Sequence, residues 1–112
     1  MSSSKANEFA GESYRDYLLK RLSQDPQEAV EYLNAALDEG PGAFLVAVKD
    51  VIDAGIGMSS LSDSTKLHRV SLYKMLSERG NPTLRSLESV LDSIGLKLRI
   101  AQKDSESASP SA

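Results

Sequence analysis

At 112 residues with 40% hydrophobic side chains, the chain is long enough for one compact domain with short tails and too short for two. The absence of cysteine excludes disulfide frameworks, thiolate catalysis and Cys-based zinc sites, and no apolar run approaches the roughly 20 residues of a membrane-crossing helix. The net charge of −3 hides a division: residues 1–65 carry 5 basic and 11 acidic side chains, residues 66–103 carry 8 basic and 3 acidic, and the last nine carry 2 acidic. A cationic half of this kind points to a polyanion and leaves the acidic half for another task.

Residues 1–12 and 104–112 are rich in serine and small residues, lack apolar periodicity and read as flexible tails. Neither the basic start nor the apolar block of a secretory signal is present at the beginning, so the expected location is cytoplasmic. Ser13 can cap a first helix, in which Tyr14, Tyr17, Leu18 and Leu22 recur on one face and which ends near Ser23. Asp25 followed by Pro26 is a cap followed by proline at the first helical position, and Ala29, Val30, Leu33, Ala36 and Leu37 form the stripe of a second helix that Gly40 and Pro41 stop. Residues 13–41 are thus a helical pair. A third helix from about Gly42 to Ala54 turns Phe44, Ala47, Val48, Val51 and Ile52 inward and exits at Gly55.

Two short helices follow, Met58–Thr65 and His68–Leu76, separated by a tight corner. Gly80, Asn81 and Pro82 form a turn, Thr83 caps a further helix with Leu84, Leu87, Val90, Leu91 and Ile94 on its apolar face, and Gly95 ends it. Leu96, Leu98 and Ile100 alternate with Lys97 and Arg99, the period of a half-buried β-strand. A lone strand needs a partner, and pairing between two subunits is the expected solution. The fold class is therefore all-α, a domain of five to six helices with a short C-terminal β-strand. Residues 42–103 form its second part.

The two short helices have the parts of a helix-turn-helix: a first helix lying across a second, a tight corner, and a second helix whose outer face is free for the major groove. Leu61, Leu67, Leu72 and Leu76 can face the core, with Ser62 small enough for close approach. The outer face of the second helix carries Arg69, Val70, Tyr73 and Lys74. Arg69 and Lys74 can donate to guanine O6 and N7, Val70 can touch a thymine methyl, and Tyr73 can line the groove or reach a phosphate. Ser59, Ser60, His68, Ser71, Ser77 and Arg79 lie beside it or at helix ends, where short side chains and N–H groups bind phosphate. Two ordinary helices of a bundle, with Arg69 and Lys74 merely solvated, would show the same periodicity.

From Tyr17 to about Ile100 the sequence resembles the antidote proteins of addiction modules, a prophage-associated group with a Cro/C1-type helix-turn-helix. The resemblance is carried by YLNAAL at Tyr32–Leu37, GM at Gly57 and Met58, LY at Leu72 and Tyr73, and GNPTL at Gly80–Leu84. It implies a DNA-binding antitoxin that neutralises a small RelE/ParE-type toxin encoded beside it and represses their shared operon, usually as a homodimer. The chain departs from the pattern at the corner, where Lys66 replaces the usual glycine, and at His68, where a serine-like cap is common. The toxin is assigned by elimination to the acidic N-terminal helices, with the terminal strand as rival. Such toxins are often basic, so complementary charge would speed association.

Enzymatic chemistry is not expected. His68 is the sole histidine and stands at a helix corner, a poor place for a triad or a metal site. Glu28 with Glu31, and Asp50 with Asp53, share helix faces at three-residue spacing, but exposed acidic faces look the same. No phosphate-cradling loop or EF-hand spacing is present. The tyrosines of the first two helices read as core or interface anchors rather than catalysts. No metal or cofactor is expected. Two alternatives stay open, a stand-alone phage-type repressor and a protein-interaction module that has lost DNA binding.

Overall fold

A computed structural model describes residues 3–103, with side chains from Tyr14 onward, as six helices: α1 (Ser3–Gln24), α2 (Pro26–Glu39), α3 (Pro41–Ala54), α4 (Gly57–Thr65), α5 (Arg69–Met75) and α6 (Leu84–Ser93). Single residues separate the first three. Asp25 caps α2 by accepting from the Gln27 N–H at 3.0 Å, and Pro26 sits at the first helical position, where it lacks nothing the helix could use. Gly40 then ends α2 and starts α3. Its φ of 143° is reserved for glycine, its N–H closes on the Ala36 and Leu37 carbonyls, and Pro41 opens the next helix.

α3 is the central strut and packs against α1, α2 and α4. Phe44, Leu45, Ala47, Val48, Val51 and Ile52 are all buried along it. Leu22, Ala29 and Leu33 meet it from α1 and α2, and Met58, Leu61, Leu72, Leu76, Val90 and Leu91 complete one continuous core. Ile52, Leu61, Leu72, Val48 and Val90 are wholly withdrawn from solvent, each worth about 1.5–3 kcal/mol of transfer free energy. No helix among the described residues is long and apolar enough to cross a membrane.

Three expectations are corrected. The first helix begins at Ser3 rather than Ser13, so most of the expected tail has helical backbone; runs such as KANEFA hold good helix formers and need no apolar stripe to continue a helix already nucleated. Residues 104–112, the other expected tail, lie outside the described residues. Tyr14 and Tyr17 stand out from the first helix at 64% and 56% exposure while Leu18 and Leu22 turn inward.

The third correction concerns Leu96–Ile100, which forms no strand; no strand occurs among the described residues. α6 ends in a Schellman arrangement, with Gly95 at φ 80°, its N–H on the Asp92 carbonyl at 3.0 Å and the Leu96 N–H on the Leu91 carbonyl at 2.8 Å. Beyond it the chain meets no second strand, and an alternating pattern cannot form a ladder alone.

Candidate nucleic-acid interface

α4 and α5 meet at a corner made by Lys66, Leu67 and His68. Lys66 takes φ 64° and ψ 20°, the left-handed conformation, and is the only non-glycine residue with positive φ among those described. The strain of that conformation, on the order of 1 kcal/mol, is met by local hydrogen bonds. The Lys66 N–H donates to the Ser62 carbonyl at 2.9 Å, and the Ser62 hydroxyl donates to the Leu67 carbonyl. Thr65 Oγ1 donates to the Leu61 carbonyl at 2.8 Å and accepts from the Leu67 N–H at 3.3 Å. Ser62 thus does more than allow close approach, since its hydroxyl ties the end of α4 to the corner.

The corner turns α5 so that Leu72, and Leu76 just beyond it, enter the core. Arg69, Val70, Tyr73 and Lys74, at the helical spacing of one stripe, are left on the outside. Val70 is 74% exposed, far more than an isolated core-facing valine would be. Among the described residues neither Arg69, Lys74, Lys66 nor Arg79 enters an ion pair. Ser71, His68, Ser59, Ser60 and Arg79 are also exposed. Ser77 is half-buried, and its hydroxyl donates to the Lys74 carbonyl at 2.7 Å, which leaves its oxygen free to accept only. His68 opens α5 without a side-chain capping bond. The sites expected from the sequence therefore lie on one contiguous stretch, 59–79, and all but Ser77 present open side chains.

Lys49 of α3 is an addition that periodicity did not disclose. Its ammonium lies 5.5 Å from the Tyr73 ring centre and 2.8 Å from Asp53 Oδ2, which links the outer stripe of α5 to the polar side of α3. The available signal was weak: Lys49 is the lone cation of its helix.

The turn after α5 is shaped by Gly80. A Cβ there would collide with the Met75 carbonyl, so the chain folds back against the end of α5 only because that position is bare. The Gly80 N–H donates to the Ser77 carbonyl at 2.9 Å. Thr83 then caps α6, accepting from the Ser86 N–H at 3.0 Å.

The paired carboxylates of α3 have a structural role. Arg15 donates to Asp50 at 3.1 Å and to Asp53 at 3.3 Å, and the Tyr32 hydroxyl donates to Asp50 Oδ2 at 2.6 Å. Asp50 is only 13% exposed, so this is not the solvated face its spacing suggested. Burial first, then the bond to Asp50, pushes the Tyr32 phenol well above the ordinary tyrosine range. No group of three or more His, Asp or Glu side chains suited to a metal ion occurs among the described residues.

Comparison with known proteins covers both this stretch and the helices that support it. A family model described as "Probable addiction module antidote protein" matches residues 15–102. An uncharacterized protein of Haemophilus influenzae is similar, with 26% identity over 91 residues spanning 81% of this chain and 94% of that protein. No solved structure matches the chain. The family match extends from the arginine that ties α1 to α3, through the α4–α5 corner, to the segment after α6, and the chain belongs to the family of probable addiction module antidote proteins.

Proposed function

We propose that this antidote protein is a DNA-binding antitoxin of a type II module. α4 and α5 act as a Cro/C1-type helix-turn-helix on the operator of its own operon, and the protein represses that operon as a homodimer. The acidic helices α1 and α2 bind a small basic toxin of the RelE/ParE type. The protein works in the cytoplasm, has no enzymatic activity and needs no cofactor.

The observation that carries the reading is the bare stripe of α5. Arg69 and Lys74 are exposed with no carboxylate partner among the described residues, and they flank Val70 and Tyr73 on the face opposite Leu72. A helix presented this way can put guanidinium and ammonium donors against guanine edges while Val70 meets a thymine methyl. Ser59, Ser60, Ser71 and Arg79 supply phosphate contacts that fix register.

Gel shift on the protein's own upstream DNA tests this. Binding is expected to weaken with salt at a log–log slope of about −0.9 per phosphate neutralised. Arg69→Ala should cost about 1–3 kcal/mol on the preferred site and relax base choice there. Operator binding unchanged in the Arg69→Ala, Lys74→Ala double variant would falsify the assignment of α5. Co-purification with the product of the adjacent reading frame tests the toxin.

A further inference from the structure

Between α2 and α3 runs an open groove of about 450 Å³. Its floor is small and apolar, with Ala35 and Ala36 from α2 and Ala43 and Val46 from α3, and two carboxylates line it, Glu39 from α2 and Glu78 from the segment after α5. Glu78 arrives there from a distant part of the chain because Gly42 is bare. A Cβ at Gly42 would lie 2.5 Å from the Glu78 carbonyl oxygen and 3.2 Å from its Cγ, so the segment after α5 rests directly on the start of α3. Close approach of two backbones thus brings a second negative charge to the groove that holds Glu39.

The two ends of the groove differ in how their charge is met. At one end Tyr32 donates to Asp50, and Arg15 of α1 supplies the cation that Asp50 needs. At the other end Glu39 and Glu78 are exposed, neither enters an ion pair among the described residues, and no cationic side chain lines the groove. Glu39 is also the last residue of α2, whose final turn holds no basic side chain. A carboxylate there faces the negative end of the helix dipole, so its charge works against α2. No set of three ligands suited to a metal ion occurs among the described residues. An apolar floor leading to two unmet carboxylates fits a long side chain with an alkyl stem and a cationic head.

We propose that the groove between α2 and α3 is the docking site of the toxin partner, which lays an arginine or lysine side chain along Ala35, Ala43 and Val46 and sets its charged head between Glu39 and Glu78. The assignment rests on the toxin partner proposed above and narrows its contact to the C-terminal half of α2, with α3 and Glu78. A cation seated there meets both carboxylates and the end of the α2 dipole, as Arg15 meets Asp50 and Asp53 at the other end of α3.

Isothermal titration calorimetry of the full chain with the purified product of the adjacent reading frame tests it. Glu39→Lys and Glu78→Lys should each raise the dissociation constant at least about tenfold. Ala35→Trp, which fills the groove without changing its charge, should weaken binding as well. Glu31→Lys makes the same charge change at an exposed position of the same helix outside the groove, and should raise the constant by no more than about fivefold. Helix content by circular dichroism should match wild type throughout, since Glu31, Ala35, Glu39 and Glu78 are all exposed. A complex unmoved by Glu39→Lys, by Glu78→Lys or by Ala35→Trp overturns the docking site and leaves the toxin reading standing. Glu31→Lys weakening the complex as much as Glu39→Lys does so too, because a diffuse acidic field would then suffice. No complex with the wild-type chain overturns the toxin reading and the docking site with it.

Discussion

In α1–α3 three cations pair with carboxylates, whereas no charged side chain of α4–α6 enters an ion pair among the described residues. Arg15 spans Asp50 and Asp53, Lys49 closes on Asp53, and Arg21 pairs with Glu28, so every ion pair among the described residues lies in the first three helices. From α4 onward the structure is held by apolar contact through Leu61, Leu72, Leu76, Val90 and Leu91. Hydroxyl bonds join in at Ser62, Thr65 and Thr83, and Ser64 meets Ser93 at 3.2 Å. A half that stands without ion pairs can present Arg69 and Lys74 to a polyanion without loosening itself. The other half pairs Arg15, Arg21 and Lys49 and leaves Glu31, Asp38 and Glu39 without an ion pair among the described residues.

The two halves differ most in what the core beneath α5 carries. Leu72 is wholly buried, and Leu72→Ala should lower stability by about 2–5 kcal/mol in urea unfolding. Arg69→Ala and Lys74→Ala, on the outer side of the same helix, should leave stability within about 0.5 kcal/mol of wild type. A large stability loss in the Arg69 variant would mean that its charge is engaged internally after all.

Lys66→Gly should act in the opposite direction. It removes the left-handed strain at the corner and should stabilise the fold by up to about 1 kcal/mol, seen as a thermal midpoint raised by a few degrees. If it destabilises instead, the Lys66 side chain holds the corner in some other way.

Arg15→Ala should cost less, about 0–1 kcal/mol, because its guanidinium is 48% exposed and solvent screens both of its pairs. Its loss should be smaller still in high salt.

The smallest expected effect is a pH dependence. Folded Tyr32 holds its proton beyond the ordinary tyrosine pKa, whereas the unfolded chain releases it at about 10. Unfolding then liberates a proton, and stability should fall as pH climbs past that value. Tyr32→Phe should flatten this part of the stability profile; an unchanged slope would show that Tyr32 titrates alike in both states.

Much of this organisation could be read from the residues themselves. The Asp25–Pro26 start, the Gly40–Pro41 junction, the Thr83 cap and the Gly95 exit all fall where local chemistry put them. The stripe of α3 was legible except for Leu45, which is buried because α3 is surrounded on more than one side. The outer face of α5 was legible too, since Leu72 and Leu76 determine which side remains.

What periodicity missed depends on distance along the chain. Asp50 and Asp53 have the spacing of a solvated acidic face, and nothing near them announces Arg15, 35 residues before Asp50, or Tyr32 on another helix. Tyr14 and Tyr17 share the spacing of Leu18 and Leu22 yet remain in solvent, while Leu18 and Leu22 pack on the core. Leu96–Ile100 alternates like a strand and finds no ladder.

From α2 onward the amino-acid order alone determined where helices begin and end, because a cap acts through contacts within a few residues. Tertiary structure alone decided which charges pair, which aromatic rings stay wet and whether the last segment has a mate. Those outcomes depend on which surfaces meet, and that is settled only when α3 gathers its neighbours around it.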